Sequence, residues 1–240
     1  LGDFAFPNAK HQEYADRLNA AHQRVIHVIG NHEFDFGLKR EDCYRAWGIN
    51  ASYYACDLKG VRILVLDGNE SGSPVYRGGY PSFIGDEQLA WLEKQLSTCS
   101  SPVLILSHQP LAGTSAIDNA SKVQGILSSH RSKVALCVNG HSHVDQLVRI
   151  NGVNYLHHNS ASYFWVGGKE RMAYYADALF STLDFDFQKG TVKISARQSR
   201  WSDQSPKQLG YFGSGDRPSE AIVVPEIRKR MVACDCLTAD

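Results

Sequence analysis

The chain has 240 residues, 43% of them hydrophobic, which is enough to bury a full core as one large domain or two small ones, and one is expected. Lys plus Arg and Asp plus Glu both number 25, so the formal net charge is zero and no basic surface of the kind that binds nucleic acid or anionic membrane is implied. The longest apolar runs, such as Val61 to Leu66 and Val103 to Leu106, are far too short to span a bilayer, and no charged-then-apolar leader opens the chain. A soluble protein is expected, cytoplasmic or exported after removal of a leader, since no Met opens the chain.

Short apolar, β-rich runs alternate with helical patterns, as in strands joined by crossover helices. Leu1-Gly2-Asp3-Phe4 resembles the end of a buried strand and its following loop. Ala9 to Gln23 has helical spacing, Arg24 to Ile29 is a predicted strand ending in Gly30, and Lys39 to Trp47 is a second helix. Tyr53 to Leu58 and Val61 to Leu66 flank Lys59-Gly60 as a tight hairpin. Gly68 to Phe83, rich in Gly, Ser, Pro and Tyr, is a long loop of the kind that tends to be functional. A helix over Asp86 to Leu96, a strand over Pro102 to Leu106, a helix over Ser121 to Ser129 and a strand over Lys133 to Val138 follow. The pattern then changes to antiparallel hairpins: Asp145 to Ile150, Val153 to His157, Leu179 to Phe187 and Thr191 to Arg197, with turns at Asn151-Gly152 and Lys189-Gly190. After Ser199 the chain is polar and Gly/Pro-containing, as a surface-wrapping tail would be, with a short helix predicted at Pro225 to Val232.

The six cysteines lack the C-x-x-C spacing of a zinc site. Cys137 lies in an apolar run and fits the core, while Cys234-Asp235-Cys236 suits a metal clip, half of a disulfide network, or an adventitious tail sequence. Sequons at Asn50, Asn69 and Asn119 are explained by chance.

The polar residues that carry chemistry sit just past predicted strands. Asp3 follows the first fragment, Gly30-Asn31-His32-Glu33 the second, Ser107-His108 the strand from Pro102, and Gly140-His141-Ser142-His143 the strand from Lys133. Loops beyond the carboxyl ends of parallel strands converge on one crevice, so these side chains can meet although far apart in sequence. Oxygen ligands mixed with imidazoles suit Mn, Fe, Zn or Co, and the lack of thiolate argues against a structural zinc. His108 alone would carry little weight. His27 lies within a strand, His157 and His158 cannot both face one pocket from an extended chain, and His11, His22 and His130 fall in helical stretches and are expected to be solvated. The ordered set of G-D, G-N-H-E, S-H and G-H-S-H, each ending a strand, makes coincidence a poor explanation.

The ordered set resembles the calcineurin-like metallophosphoesterases, whose pattern runs D-x-H, G-D, G-N-H-(D/E), H and G-H-x-H around a two-metal centre. The resemblance spans Leu1 to about Arg197 and covers four of the five motifs. It implies an α/β fold, a four-layer α/β/β/α sandwich of two mixed sheets, with the first strand and its D-x-H missing from this chain. The expected organisation is a metallophosphoesterase domain over 1–198, incomplete at its N-terminus, and a C-terminal tail over 199–240 that packs on or wraps it. By the same resemblance Asp3 bridges two transition-metal ions, Asn31, His108 and His141 bind the second, and His143 binds the first. His32 sits above the site as general acid, with Glu33 beside it to orient the imidazole. Three explanations of the missing motif are open: a fragment of an ordinary enzyme, a degenerate protein that kept the fold, or replacement of the carboxylate by Asp235 or Asp240.

The function implied is metal-dependent hydrolysis of a small-molecule phosphate ester, as a phosphomonoesterase or phosphodiesterase. The alternative is a non-catalytic binding or scaffold protein on the same fold with a degenerate metal site. For gripping substrate the best candidates are Arg77 and Tyr80 in the long loop, where Arg offers bidentate phosphate contact and aromatics can stack, and Asn159 on the rim.

Overall fold

Val, Ile and Leu runs buried on both faces form the centre of a six-stranded sheet, as parallel strands require. The computed structural model describes residues 1–168, 171–213 and 217–238. Helices α1 (Gln12–Ala20) and α2 (Arg40–Trp47) precede the hairpin of β1 (Tyr54–Leu58) and β2 (Val61–Val65). Then come α3 (Asp86–Thr98), β3 (Val103–Ser107), α4 (Ala120–Ser129), β4 (Val134–Asn139), β5 (Gln146–Ile150) and β6 (Val153–His157). The sheet order is β1-β2-β3-β4-β6-β5, with β2, β3, β4 and β6 parallel and their carboxyl ends at one edge. That edge carries His108 after β3 and Gly140 to His143 after β4.

Past β6 the strands are short: β7 (Tyr163–Trp165), β8 (Met172–Tyr174), β9 (Leu183–Asp186), β10 (Thr191–Ile194), β11 (Arg197–Gln198), β12 (Glu226–Ile227) and β13 (Arg230–Ala233). The second sheet, β13-β10-β9, is antiparallel, so the mixed character lies in the larger sheet. Its inner residues Val192, Ile194 and Val232 meet Val61, Ile63 and Val65 of β2 between the two sheets. On the opposite face Leu64, Val103 and Ile105 pack under Leu89, Leu92 and Leu96 of α3 and Val123 and Leu127 of α4. The period of two along β2 therefore divides one strand between two cores. The outer face of the small sheet is open to solvent at Asp184, Lys193 and Met231.

Two predicted elements are corrected. Arg24 to Ile29 is not a strand: it is an extended segment without a ladder partner among the described residues. Val28 and Ile29 are buried, and the Tyr54 hydroxyl donates to the His27 carbonyl at 2.6 Å. Apolar content alone is satisfied by burial, whereas a strand also needs neighbouring backbone. Pro225 to Val232 is not a helix but β12 and the start of β13, because β10 and β11 offer open edges that its alternating side chains fit. The predicted strand from Leu179 to Phe187 shrinks to β9, and that from Thr191 to Arg197 divides into β10 and the start of β11. All six cysteines are free, and Cys234 Sγ donates to the Ala135 carbonyl at 3.0 Å within the inter-sheet core, so neither a disulfide nor a clip forms. The buried sequon residues Asn69 and Asn119 are unfit as glycan acceptors.

The C-terminal segment is tied in by charge as well as by strands. Arg230 makes a bidentate pair with the fully buried Asp145, both contacts at 2.7 Å, and the Arg228 N–H donates to the same carboxylate at 3.1 Å. Replacing Arg230 with Met leaves that carboxylate buried and uncompensated, and is expected to cost about 3–5 kcal/mol, measured by chemical denaturation. Adding Asp145→Leu to the same chain should restore most of the loss.

Candidate metal centre

Backbone curvature sets the site. Asp3, His141 and His143 all lie in the left-handed region, with φ of 53°, 61° and 52°, a conformation that non-glycine residues hold only when their surroundings impose it. Gly30 permits the closest approach, since a Cβ there would fall 2.2 Å from Asp3 Oδ1 and 2.5 Å from its N atom. Gly2 is equally constrained, with a Cβ 2.5 Å from His108 Nδ1. The Gly140 N–H donates to the His108 carbonyl at 3.1 Å, carrying the β3–β4 register past the strand ends.

His108 is the hub. Its Nδ1–H donates to the Leu1 carbonyl at 2.7 Å, which leaves Nε2 facing the other candidate ligands. That Nε2 lies 3.0 Å from Asp3 Oδ2, 3.0 Å from Asn31 Oδ1 and 3.1 Å from His141 Nδ1. Four nitrogen and oxygen atoms of ligand type thus face one another at hydrogen-bond distance. The donor atoms of Asp3, His108 and His141 are all within 4.8 Å of one another, and this is the metal-type cluster found among the described residues. Oxygen and imidazole donors without thiolate fit a divalent transition metal.

Electrostatics agrees with the geometry. Burial alone would raise the Asp3 carboxyl, but the hydrogen bond and charge of His108 override it and hold Asp3 well below the usual carboxylate range. Burial lowers His141 to about 3, aided by the charge of His108, and lowers His143 to about 4. Both therefore stay neutral with lone pairs available. His143 stands outside the cluster of three; its Nδ1 is buried with no hydrogen-bond partner, and its ring meets Tyr163 edge-on at 5.0 Å.

Beside these groups lies a cavity of about 490 Å³ lined by Asp3, Asn31, His32, Tyr80, His141 and His143, among others. The His32 N–H donates to Asp3 Oδ1 at 2.9 Å, while its Nδ1–H donates to Asp35 Oδ2 at 2.8 Å. Asp35 also accepts from the Tyr80 hydroxyl at 2.6 Å, so the carboxylate locks the ring and leaves Nε2 free. Glu33 does not touch His32. Its buried carboxylate accepts from the N–H groups of Gly30, Asp3 and Phe4 at 2.7, 3.0 and 2.8 Å. Burial first, then the charge of Asp3, raises Glu33 to about 6.

The structure brings Asp3, Asn31, His32, His108, His141, His143 and Tyr80 together. Arg77 is exposed and is not among the residues lining the cavity of His32. Asn159 lies on a neighbouring cavity, but its amide donates to the carbonyls of Val224 and Glu226 at 2.8 and 3.1 Å and its oxygen accepts from Tyr175. Asp235 is exposed and lies outside the cluster, and Asp240 is outside the described residues.

Of the other histidines, His22 and His130 bond to Arg24 and Glu93 at the surface, His27 stacks on Trp47, and His11 is half-buried against Phe6 and Tyr14 instead of solvated. Sequence reasoning missed two supporting residues. Asp35, three positions past His32, could have been found by asking which carboxylate a 3₁₀ turn puts beside it. His157 could not: it reaches the ligand loop only through β4–β6 pairing, where Ser142 Oγ lies 2.9 Å from its Nδ1.

Burial lowers His157 from 6.5 to about 4, so the unfolded chain takes up its proton first on acidification. Stability from this group is full above about pH 6.5 and is lost as pH falls toward 4. Denaturation midpoints at pH 7 and pH 5 should converge in His157→Gln relative to the parent.

The family model for the calcineurin-like phosphoesterases matches residues 1–145. The chain is also similar in fold to a solved structure described as "GAP50 the anchor in the inner membrane complex of Plasmodium", with a TM-score of 0.49 and 14% identity over 70% of this chain. It spans 60% of that protein's length. No protein of curated function matches the chain. Among the described residues no helix is long and apolar enough to cross a membrane. With more than half of its 240 residues matched by the family model, the chain belongs to the calcineurin-like phosphoesterase family.

Proposed function

We propose that this chain hydrolyses phosphate esters, with Asp3, Asn31, His108, His141 and His143 as metal ligands and His32 as general acid. The observation that supports this reading most is the meeting of Asp3 Oδ2, Asn31 Oδ1 and His141 Nδ1 at His108 Nε2, at 3.0–3.1 Å. Asp3 would be shared by two ions, with Asn31, His108 and His141 on one and His143 on the other. Transition metals bound there supply positive charge at the phosphoryl oxygens and lower the pKa of water. The remaining steps belong to the chain. The cavity binds the ester beside the ligands, the Asp3–His32 backbone bond fixes the imidazole over it, and Asp35 holds Nδ1 so that Nε2 delivers a proton to the leaving oxygen.

A second reading, ligand binding without turnover, draws on the position of His143 outside the cluster of three. Elemental analysis and hydrolysis of para-nitrophenyl phosphate esters after loading with Mn, Fe, Co or Zn separate the two. Metal without turnover favours binding alone; neither metal nor turnover removes both readings.

His32→Ala should keep its metal content and lose about 10²- to 10⁴-fold in kcat, the usual contribution of a positioned general acid. His108→Ala and His141→Ala should instead lose metal, and equal metal loss in all three would overturn the division of roles.

Asp3→Asn tests the shared ligand. A neutral amide cannot offset two adjacent cations, so loss of at least one ion per chain and a fall in rate of several orders of magnitude are expected. Unchanged stoichiometry in that variant would remove Asp3 from the site.

A further inference from the structure

A second cavity, of about 460 Å³, lies against the first, and Asp3, His32, Tyr163 and Met172 line both. Asp3 and His32 therefore stand on the wall that two chambers of similar size share. A small-molecule site generally spans some 300–1,000 Å³, so either chamber alone can hold an organic group.

The walls are aromatic. The second chamber is lined by Phe4, Phe6, His11 and Tyr14, and Phe4 and Tyr14 are 46% and 56% exposed. The first is lined by Tyr80 and Trp165, 45% and 52% exposed. Exposed aromatics gathered at a cleft mark a binding surface more than a solvated one.

Charge selects the ligand further. Among the described residues Arg217 is the only Arg or Lys lining either chamber, and its guanidinium is engaged over the Tyr211 ring and on the Val166 carbonyl. A phosphate monoester carries about 1.5 to 2 negative charges at pH 7 and exposes three oxygens that want donors. A diester carries one charge and replaces one of those oxygens with a second organic arm, for which a second aromatic chamber offers room.

We infer that the site takes phosphodiesters with aromatic or apolar groups on both ester oxygens, one in each chamber, an inference that rests on the phosphoesterase reading. In the reaction, water oxygen bonds to phosphorus, one P–O ester bond breaks, and the departing oxygen takes a proton from His32. A monoester and an alcohol result.

Binding and turnover test it separately on the metal-loaded chain. Calorimetry with diphenylphosphinate, which has two arms and no cleavable ester, should give a Kd lower than that of phenylphosphonate by about tenfold or more, the scale of a filled apolar pocket. Tyr14→Ala should narrow that ratio by about three- to tenfold. Likewise kcat/KM for bis(para-nitrophenyl) phosphate should exceed that for para-nitrophenyl phosphate. Equal or tighter binding of the one-armed ligand, or preference for the monoester, overturns the inference. Absence of turnover with the two-armed binding preference intact supports the two-chamber site and refutes hydrolysis.

Discussion

Three backbone N–H groups, those of Gly30, Asp3 and Phe4, converge on the buried carboxylate of Glu33, and the placing of both strand-end loops follows from that convergence. No ladder joins these two loops, so the carboxylate supplies the acceptors that a neighbouring strand would otherwise provide. Each donor left unpaired in the interior would cost about 1–3 kcal/mol. With Glu33 in place, Asp3 faces His108 and its other oxygen takes the His32 N–H, so one acidic side chain positions both Asp3 and His32.

The left-handed conformations of Asp3, His141 and His143 cost on the order of 1–3 kcal/mol each and persist because several independent contacts impose them. For the second loop these are the Gly140 N–H on the His108 carbonyl, the Asn139 amide on the Gly140 carbonyl, and Ser142 against His157. The loop is thus held from β3, β4 and β6 at once. Rigid placement of this kind keeps the Asp3, His108 and His141 donor atoms within 4.8 Å of one another.

Buried charge performs the same service at greater range. Asp145, two residues past His143, is clamped by Arg230 on β13, so the C-terminal strand braces the ligand loop. At the end of β2 the fully buried Asp67 pairs with Arg40 of α2 at 2.8 Å, and Asn69 takes the Gln109 amide one position past His108. Two of these ties are ion pairs, and removing the arginine from either leaves an unpaired carboxylate in the interior.

What the residues alone disclosed was whatever depends on local order: strands of continuous apolar residues, the Lys59-Gly60 and Asn151-Gly152 hairpins, and the Asp, Asn and His groups that end each strand. Parallel strands send their carboxyl ends to one edge, so ligands a hundred positions apart could be grouped without coordinates. The division of labour among neighbours was decided in three dimensions. Glu33 and Asp35 are both acidic and both near His32, yet backbone geometry gives one to the loop amides and the other to the imidazole. Arg24 to Ile29 and Pro225 to Val232 were misread for the matching reason: pairing is a property of two segments, and neither carries a record of whether a free edge lies beside it. The paired aromatic chambers are likewise invisible in sequence, because Phe4, Tyr14, Tyr80 and Trp165 come from four separate segments that only the packed sheets bring to one cleft.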